Sequence, residues 1–279
     1  MCRDINHGGR RCPQVPLTTD ERKHINELRR EQYSTSKEKK HQELVESLKG
    51  YTFDSKIHSS LDDTNEAVIQ RSERFKKLKL KEDELKAIYD YTTMDFKKIR
   101  QNLSRYDVDR NVSVSFPKAK RELLQKKVQI LDSIMAKVKP SGEPTILFRG
   151  GDIPEYEDPA EWVSKNFIPG QVWVDKTYLS TSADVHIATC FPNKEVKEGH
   201  TLMFEIISNG GLPIPAGATF MNGEHEVLFP RKNKFIVAEV IPEHNYEWYS
   251  VSATVPDSLT NKNVTLIRLI DTNLPKGVK

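Results

Sequence analysis

The chain changes texture at its midpoint, near Pro140, and that change constrains the fold more than any other feature. Before it, hydrophobic residues recur at helical spacing within strongly charged stretches; after it, short apolar runs alternate with Pro, Gly and Asn turns. In the first half, Thr18-Thr19-Asp20 offers helix N-caps, and Ile25, Leu28, Leu44, Val45 and Leu48 follow at helical intervals. The polar run 34–40 splits this stretch into two helices. Further amphipathic helices are expected over 66–80 and 82–103. The clearest spans 117–138, with Pro117 near its first turn and Leu123, Leu124, Val128, Leu131, Ile134, Met135 and Val138 in one stripe. In the second half, 146–148, 177–179, 202–207, 226–229, 235–240, 247–254 and 264–270 read as strands. Helices followed by strands indicate an α+β fold with a largely antiparallel or mixed sheet. No internal repeat is visible.

Bulk properties exclude several function classes. With 43 basic and 40 acidic residues the net charge is only +3, which gives no general argument for nucleic acid. The longest apolar runs, such as 145–148, are far too short to span a bilayer. Residues 1–11 are polar and basic, with no apolar core of a signal peptide. Cys2, Cys12 and Cys190 cannot build a disulfide framework, which fits a reducing cytoplasm, or delivery into a host cell by a route that needs no signal peptide. Residues 1–20 read as a disordered basic leader, 21–65 as a charged helical extension and 66–279 as the principal domain. Cys2, His7, Cys12 and His24 match no common zinc spacing, so no metal is expected.

Familiar nucleotide and metal signatures are missing: there is no G-x-G-x-x-G after a strand, no P-loop, no H-E-x-x-H and no paired C-x-x-C. Three short pieces stand out instead. In Ile146-Leu147-Phe148-Arg149-Gly150-Gly151 an apolar strand ends in an arginine beside two glycines. The guanidinium is a planar fork suited to phosphate, and glycine permits close backbone approach; the same piece also reads as a strand-end salt bridge. Tyr178-Leu179-Ser180-Thr181-Ser182 closes a strand in three hydroxyl residues, which can orient a carboxylate or simply cap a turn. In Asn222-Gly223-Glu224-His225-Glu226 a glycine turn runs into the apolar stretch 227–229. On an extended backbone Glu224 and Glu226 share a face, roughly 7 Å apart, and would repel unless a cation lies between them. An exposed acidic turn is the alternative.

Arginine on one strand, S-T-S after a second and E-x-E leading into a third together resemble the R-S-E class of ADP-ribosyltransferases, which includes binary actin-modifying toxins and related exoenzyme and phage enzymes. The resemblance extends to 85–93, similar to that family's helix carrying a Tyr-Thr pair beside the NAD ribose, and to 123–149, similar to its long helix entering the arginine strand. It covers about residues 66–271. Two departures stand out. Met221, with Phe220 adjacent, occupies a place where the family often has an aromatic residue, and Lys194 matches a phosphate-binding basic residue by loose position only.

The resemblance implies an ADP-ribosyltransferase-like fold, N-terminal helices followed by a split antiparallel or mixed β-sandwich. It also implies cleavage of NAD, as substrate, at the bond between nicotinamide and ribose. Glu226 would stabilise the oxocarbenium-like ribose and hold its 2′-hydroxyl, and Ser180 would orient Glu226. Arg149, with Gly150, would bind the phosphate side, and Thr181 and Ser182 would line the cofactor. Phe191 would stack on nicotinamide, or else sit in the core before Pro192. Tyr91 would lie on the ribose side, or else be a buried core tyrosine. Glu224 would pair with an acceptor guanidinium and take its proton. E-x-E members usually modify arginine, so the implied partner is a protein bearing an acceptor arginine, with no nucleic-acid or membrane binding. The N-terminal helices offer a surface for a further partner. An NAD glycohydrolase and an inactive binding module of the same fold are the alternatives. His225 carries no assigned role.

Overall fold

The computed structural model describes residues 39, 42–47, 51, 53, 72–107, 112–142, 144–189, 199–215, 225–249 and 259–275. The chain divides into two units, Met1–Leu44 and Val45–Lys279. In the first, residues 39 and 42–44 are helical. Everything that follows concerns the second.

The helical half opens with a short helix over 72–77 and continues with α1 (Glu82–Asp90), a π-helical turn (Tyr91–Asp95) and α2 (Phe96–Ser104). Glu84 closes the start of α1 from within the helix: the Lys81 backbone N–H donates to Glu84 Oε2 at 3.0 Å. The buried Glu84 carboxylate also receives Lys137, at 2.6 and 2.8 Å, tying α1 to the end of the long helix α3 (Lys118–Met135). The expected helix over 82–103 is thus real but interrupted. Its π turn is set by contacts along the chain, since Thr92 and Thr93 hydroxyls both donate to the Tyr89 carbonyl and Lys127 of α3 clasps Asp90 and Asp95. In α3 the buried stripe is Leu124, Val128, Leu131, Ile134 and Met135, each contributing about 2 kcal/mol by burial. Leu123 does not belong to it; it is 55% exposed, one position off the buried face.

After a small hairpin of β1 (Tyr106–Asp107) and β2 (Val112–Ser113), eight strands build one mixed sheet. These are β3 (Thr145–Asp152), β4 (Val172–Val174), β5 (Leu179–Ser182), β6 (Thr201–Ser208), β7 (Leu212–Pro213), β8 (Glu226–Phe229), β9 (Lys234–Tyr249) and β10 (Leu259–Asp271). Helices α4 (Pro159–Asn166) and α5 (Val185–Ala188) connect them, α4 starting on an Asp158 side chain that accepts from Glu161 N at 2.8 Å. The order is β4-β9-β10-β6-β3-β5-β8-β7, antiparallel throughout except for β10 beside β6.

The expected split lies at the β3–β5 seam, where a single residue pair, Phe148 and Ser182, joins two halves of the sheet. The halves pack on each other: Leu179, Val227 and Phe229 share a core with Leu147, Phe204, Phe235 and Leu269. Alternation sends Leu228 and Tyr178 the other way, into a second core with Val128, Leu131 and Ile88 of the helices. The β5–β8 pair is therefore covered on both faces.

Two strand expectations shift. The strand expected at 177–179 begins at Leu179 and runs through the S-T-S run itself, because Asp175 Oδ1 accepts from Thr177 N (2.7 Å) and Thr177 Oγ1 (2.8 Å) and holds that residue in a turn. The runs 235–240 and 247–254 are separate strands in the sequence reading, whereas β9 is continuous over Lys234–Tyr249, and 250–254 lie outside the described residues. It crosses Pro242 and the left-handed Glu243 (φ 51°) by a register shift against β10.

One tie holds α3 to the strands. Tyr178 Oη donates to the Val128 carbonyl (3.1 Å) and to Asp132 Oδ1 (2.7 Å), and Arg231 grips the same carboxylate with three contacts of 2.6–2.9 Å. Burial pushes the Asp132 carboxyl up, but the hydrogen bonds from Arg231 and Tyr178 outweigh it and the net direction is down. A depressed carboxyl stabilises the fold above its unfolded pKa, near 3.9, and that contribution is lost as pH falls through the folded value. Arg231→Leu is expected to lower stability at pH 7 by about 1 kcal/mol, a figure discounted because the pair is about a third exposed. The difference from the parent narrows below about pH 4, which urea unfolding at both pH values measures.

Candidate active site

Three strands bring the site together. Ser180 of β5 lies opposite Leu228 and Ser182 lies opposite Glu226, so Ser180, Ser182 and Glu226 share the face that looks toward the helices. Ser180 Oγ donates to Glu226 Oε1 at 2.6 Å. Glu226 is 5% exposed, the first residue of β8, and its backbone carbonyl accepts from Ile214 N at 2.8 Å. From β3, Arg149 reaches across the seam and its Nη1 donates to the Ser180 carbonyl at 2.5 Å. A buried carboxylate, the hydroxyl that fixes it and a guanidinium are thereby fastened to one residue, Ser180.

Burial pushes the Arg149 guanidinium down to about 10; Arg100 acts in the same direction, while Asp175, Tyr91 and Glu226 oppose it. It stays charged at neutral pH, but in a setting that disfavours the charge, so an anionic ligand gains more there than at the surface. Gly150 is buried beside it.

Tyr91 opens the π turn and is 2% exposed, its ring edge-on to Tyr178 at 5.5 Å and its hydroxyl 3.5 Å from the Tyr178 carbonyl. Burial raises its phenol pKa, with the Glu226 charge adding to the rise, so it stays a neutral donor. The core-tyrosine alternative thus describes its packing, and its electrostatic coupling to Arg149 and Glu226 describes its neighbourhood.

The remaining candidates divide. Ser182 is buried, on the Glu226 face, and its Oγ accepts from Asp184 N at 2.9 Å, ending β5 in a turn. Thr181 alternates to the sandwich core, fully buried, and gives its hydroxyl to the Val227 carbonyl at 2.6 Å. It is not brought beside Ser180 and Glu226. Glu224, Phe191 and Lys194 lie outside the described residues. His225 has a left-handed backbone, φ 44°, immediately before β8. The i to i+2 alternation used to place Glu224 on the Glu226 face requires an extended residue between them, so that step of the sequence argument fails at His225. A non-glycine residue in this conformation beside a buried carboxylate is strain of the kind concentrated at functional sites.

Sequence reading missed Asp175, Arg100 and the Tyr178–Asp132–Arg231 tie. The signal for the first was present: Asp175-Lys176-Thr177 is the pattern of an Asx turn. Among the described residues no group of His, Cys, Asp and Glu is placed to hold a metal, and no helix is long and apolar enough to cross a membrane.

Residues 70–264 match the profile of the ADP-ribosyltransferase exoenzyme family. The chain belongs to that family. Its exoenzyme fold is shared with solved structures at low identity. Vis, an ADP-ribosyltransferase from Vibrio splendidus solved with the inhibitor M6, is 16% identical over 77% of this chain and 86% of its own, with a TM-score of 0.50. Vis in complex with agmatine aligns over 77% and 88%, also at 16% identity and 0.50. The C3 exoenzyme of Clostridium limosum is 18% identical over 76% of this chain and 96% of its own, again at 0.50. A comparison with curated proteins returned no match. At these identities the solved structures speak for the fold; membership of the exoenzyme family makes the chain an ADP-ribosyltransferase.

Proposed function

We propose that this exoenzyme moves ADP-ribose from NAD to an arginine side chain of a target protein, releasing nicotinamide. The observation that carries the reading is the 2.6 Å hydrogen bond from Ser180 to the buried Glu226, with Arg149 anchored on the same serine. Cleavage breaks the bond between ribose C1 and the nicotinamide nitrogen, and the bonding electrons leave with nicotinamide. Positive charge develops on the ribose. Glu226, desolvated and held in one orientation, is placed to stabilise it and to accept the ribose 2′-hydroxyl proton in a hydrogen bond. Arg149 faces the phosphate side, where a double negative charge relieves the desolvation of its guanidinium. Tyr91 supports the ribose side, and Phe191 is assigned the nicotinamide ring by family likeness.

The acceptor is the finer part. Glu224 is the residue proposed to align the incoming guanidinium and to take its proton as the new C–N bond forms. An E-x-E pair supports this, as does a fold relative, Vis, solved with agmatine, which carries the same guanidinium as arginine. The test separates the two carboxylates. Glu224→Gln is expected to retain nicotinamide release from NAD while transfer to agmatine falls by about 100-fold, the size of a lost general base. Equal loss of both reactions, or transfer at the parent rate, overturns the assignment of Glu224.

A further inference from the structure

A second cleft, sharing no residue with the site above, opens between helix 72–77 and the end of α3. Its volume is about 600 Å³, in the range of small-molecule sites. Its charged lining is lopsided. Among the described lining residues, Arg74, Lys77 and Lys139 face one carboxylate, Glu73, because the fourth cation, Lys137, is committed to Glu84.

These cations are not explained by local structure. Basic residues gather at helix C-termini to bind the last carbonyls, yet here the carbonyls of Asp132, Ile134 and Met135 are taken by the backbone N–H groups of Ala136, Lys137 and Val138. The ammonium groups of Lys77 and Lys139 make no ion pair or hydrogen bond with any described residue. Arg74 is half-buried, and its partner among the described residues is a neutral acceptor, the Lys139 carbonyl at 3.1 Å. Burial lowers its pKa. A cation desolvated without an anion is costly, and a ligand that supplies the anion recovers that cost.

The walls are also fixed in advance. Ser141 N and Oγ both donate to the Asn209 carbonyl, at 2.6 and 2.9 Å, and Asn209 Nδ2 returns to the Ser141 carbonyl at 3.0 Å. Leu78, Val138 and Pro213 supply an apolar wall, and a Cβ placed at Gly142 would meet nothing within 4 Å. From this combination we propose that the cleft binds a phosphorylated small molecule of nucleotide size, its phosphates on Arg74, Lys77 and Lys139 and its ring on the apolar wall. A half-open cleft of this volume suits such a ligand better than an extended acidic peptide, which needs a longer groove.

Titration calorimetry with ATP on the full chain tests it. Saturable one-to-one binding is expected, weakening as salt rises. Combining Lys77→Glu with Lys139→Glu should weaken it about tenfold. Gly142→Leu, which changes no charge and meets no atom at its Cβ, should weaken it as much by filling the space, and so separates a built site from diffuse attraction. Both variants should release nicotinamide from NAD at the parent rate, so the result is independent of the catalytic assignment. Binding indifferent to Gly142→Leu, tighter capture of a poly-glutamate peptide, or no saturable binding would each overturn the proposal.

Discussion

Glu226→Gln is expected to reduce nicotinamide release from NAD by about 1,000-fold or more while leaving the fold intact. The substitution is isosteric, and the amide oxygen of Gln can still accept from Ser180 Oγ, so the 2.6 Å hydrogen bond has a successor. What disappears is a negative charge that is 5% exposed and therefore little screened by water. The Arg149 guanidinium loses one of the charges that offset its desolvation, so a modest loss of stability accompanies the change and has to be measured apart from the loss of activity. The measurement is nicotinamide release over time beside a thermal melt. Full activity with an unchanged melting temperature would mean that Glu226 is not the ribose-side carboxylate.

The largest effect on stability is expected at Gly211, just before β7. Its φ is +84°, and a Cβ built there lies 2.5 Å from Val227 Cγ1. Valine is stiff about its first torsion, and Val227 sits in β8 with neighbours on both sides: β5 through Thr181 and β7 through Pro213. Neither partner can step aside. Gly211→Ala combines a left-handed alanine, about 1 kcal/mol, with overpacking of about 1–3 kcal/mol. The sum corresponds to a fall of roughly 10 °C in melting temperature for a domain of this size. Activity should fall too, because Val227 follows Glu226 directly in the chain. Gly142→Ala is the control: nothing lies within 4 Å of its Cβ and no penalty is expected. Equal melting temperatures for the two variants would contradict this account of β7.

The residues differ in how much of this they disclose. The stripe Leu124, Val128, Leu131, Ile134 and Met135 reads directly from spacing, because a helix packed on one face needs that period and nothing else. Leu202 to Ile207 read as a strand for a similar reason: an apolar run flanked by polar residues, buried on both faces. Short elements escape. Val172–Val174 and Leu212–Pro213 are too brief to have a period, and they exist through pairing with β9 and β8, which only the tertiary fold supplies. The π turn at Tyr91–Asp95 rests on Lys127, a residue of α3 far along the chain.

At the site, Arg149, Ser180 and Glu226 were legible as types in order, and family likeness gave them roles. Their meeting at Ser180 depends on the β3–β5 seam, which no local pattern encodes. The step from Glu226 back to Glu224 failed for a local reason. Histidine is enriched in the left-handed region, but too weakly for the residue type alone to announce the conformation of His225.

Mass spectrometry of the side chain labelled by the wild-type protein tests the central claim most directly. Incubation with NAD and agmatine, and separately with a protein extract, is expected to yield ADP-ribosyl-agmatine and peptides modified on arginine. Modification confined to asparagine or another side chain, or nicotinamide release with no ADP-ribosylated product but free ADP-ribose, would contradict the assignment of an arginine-directed transferase.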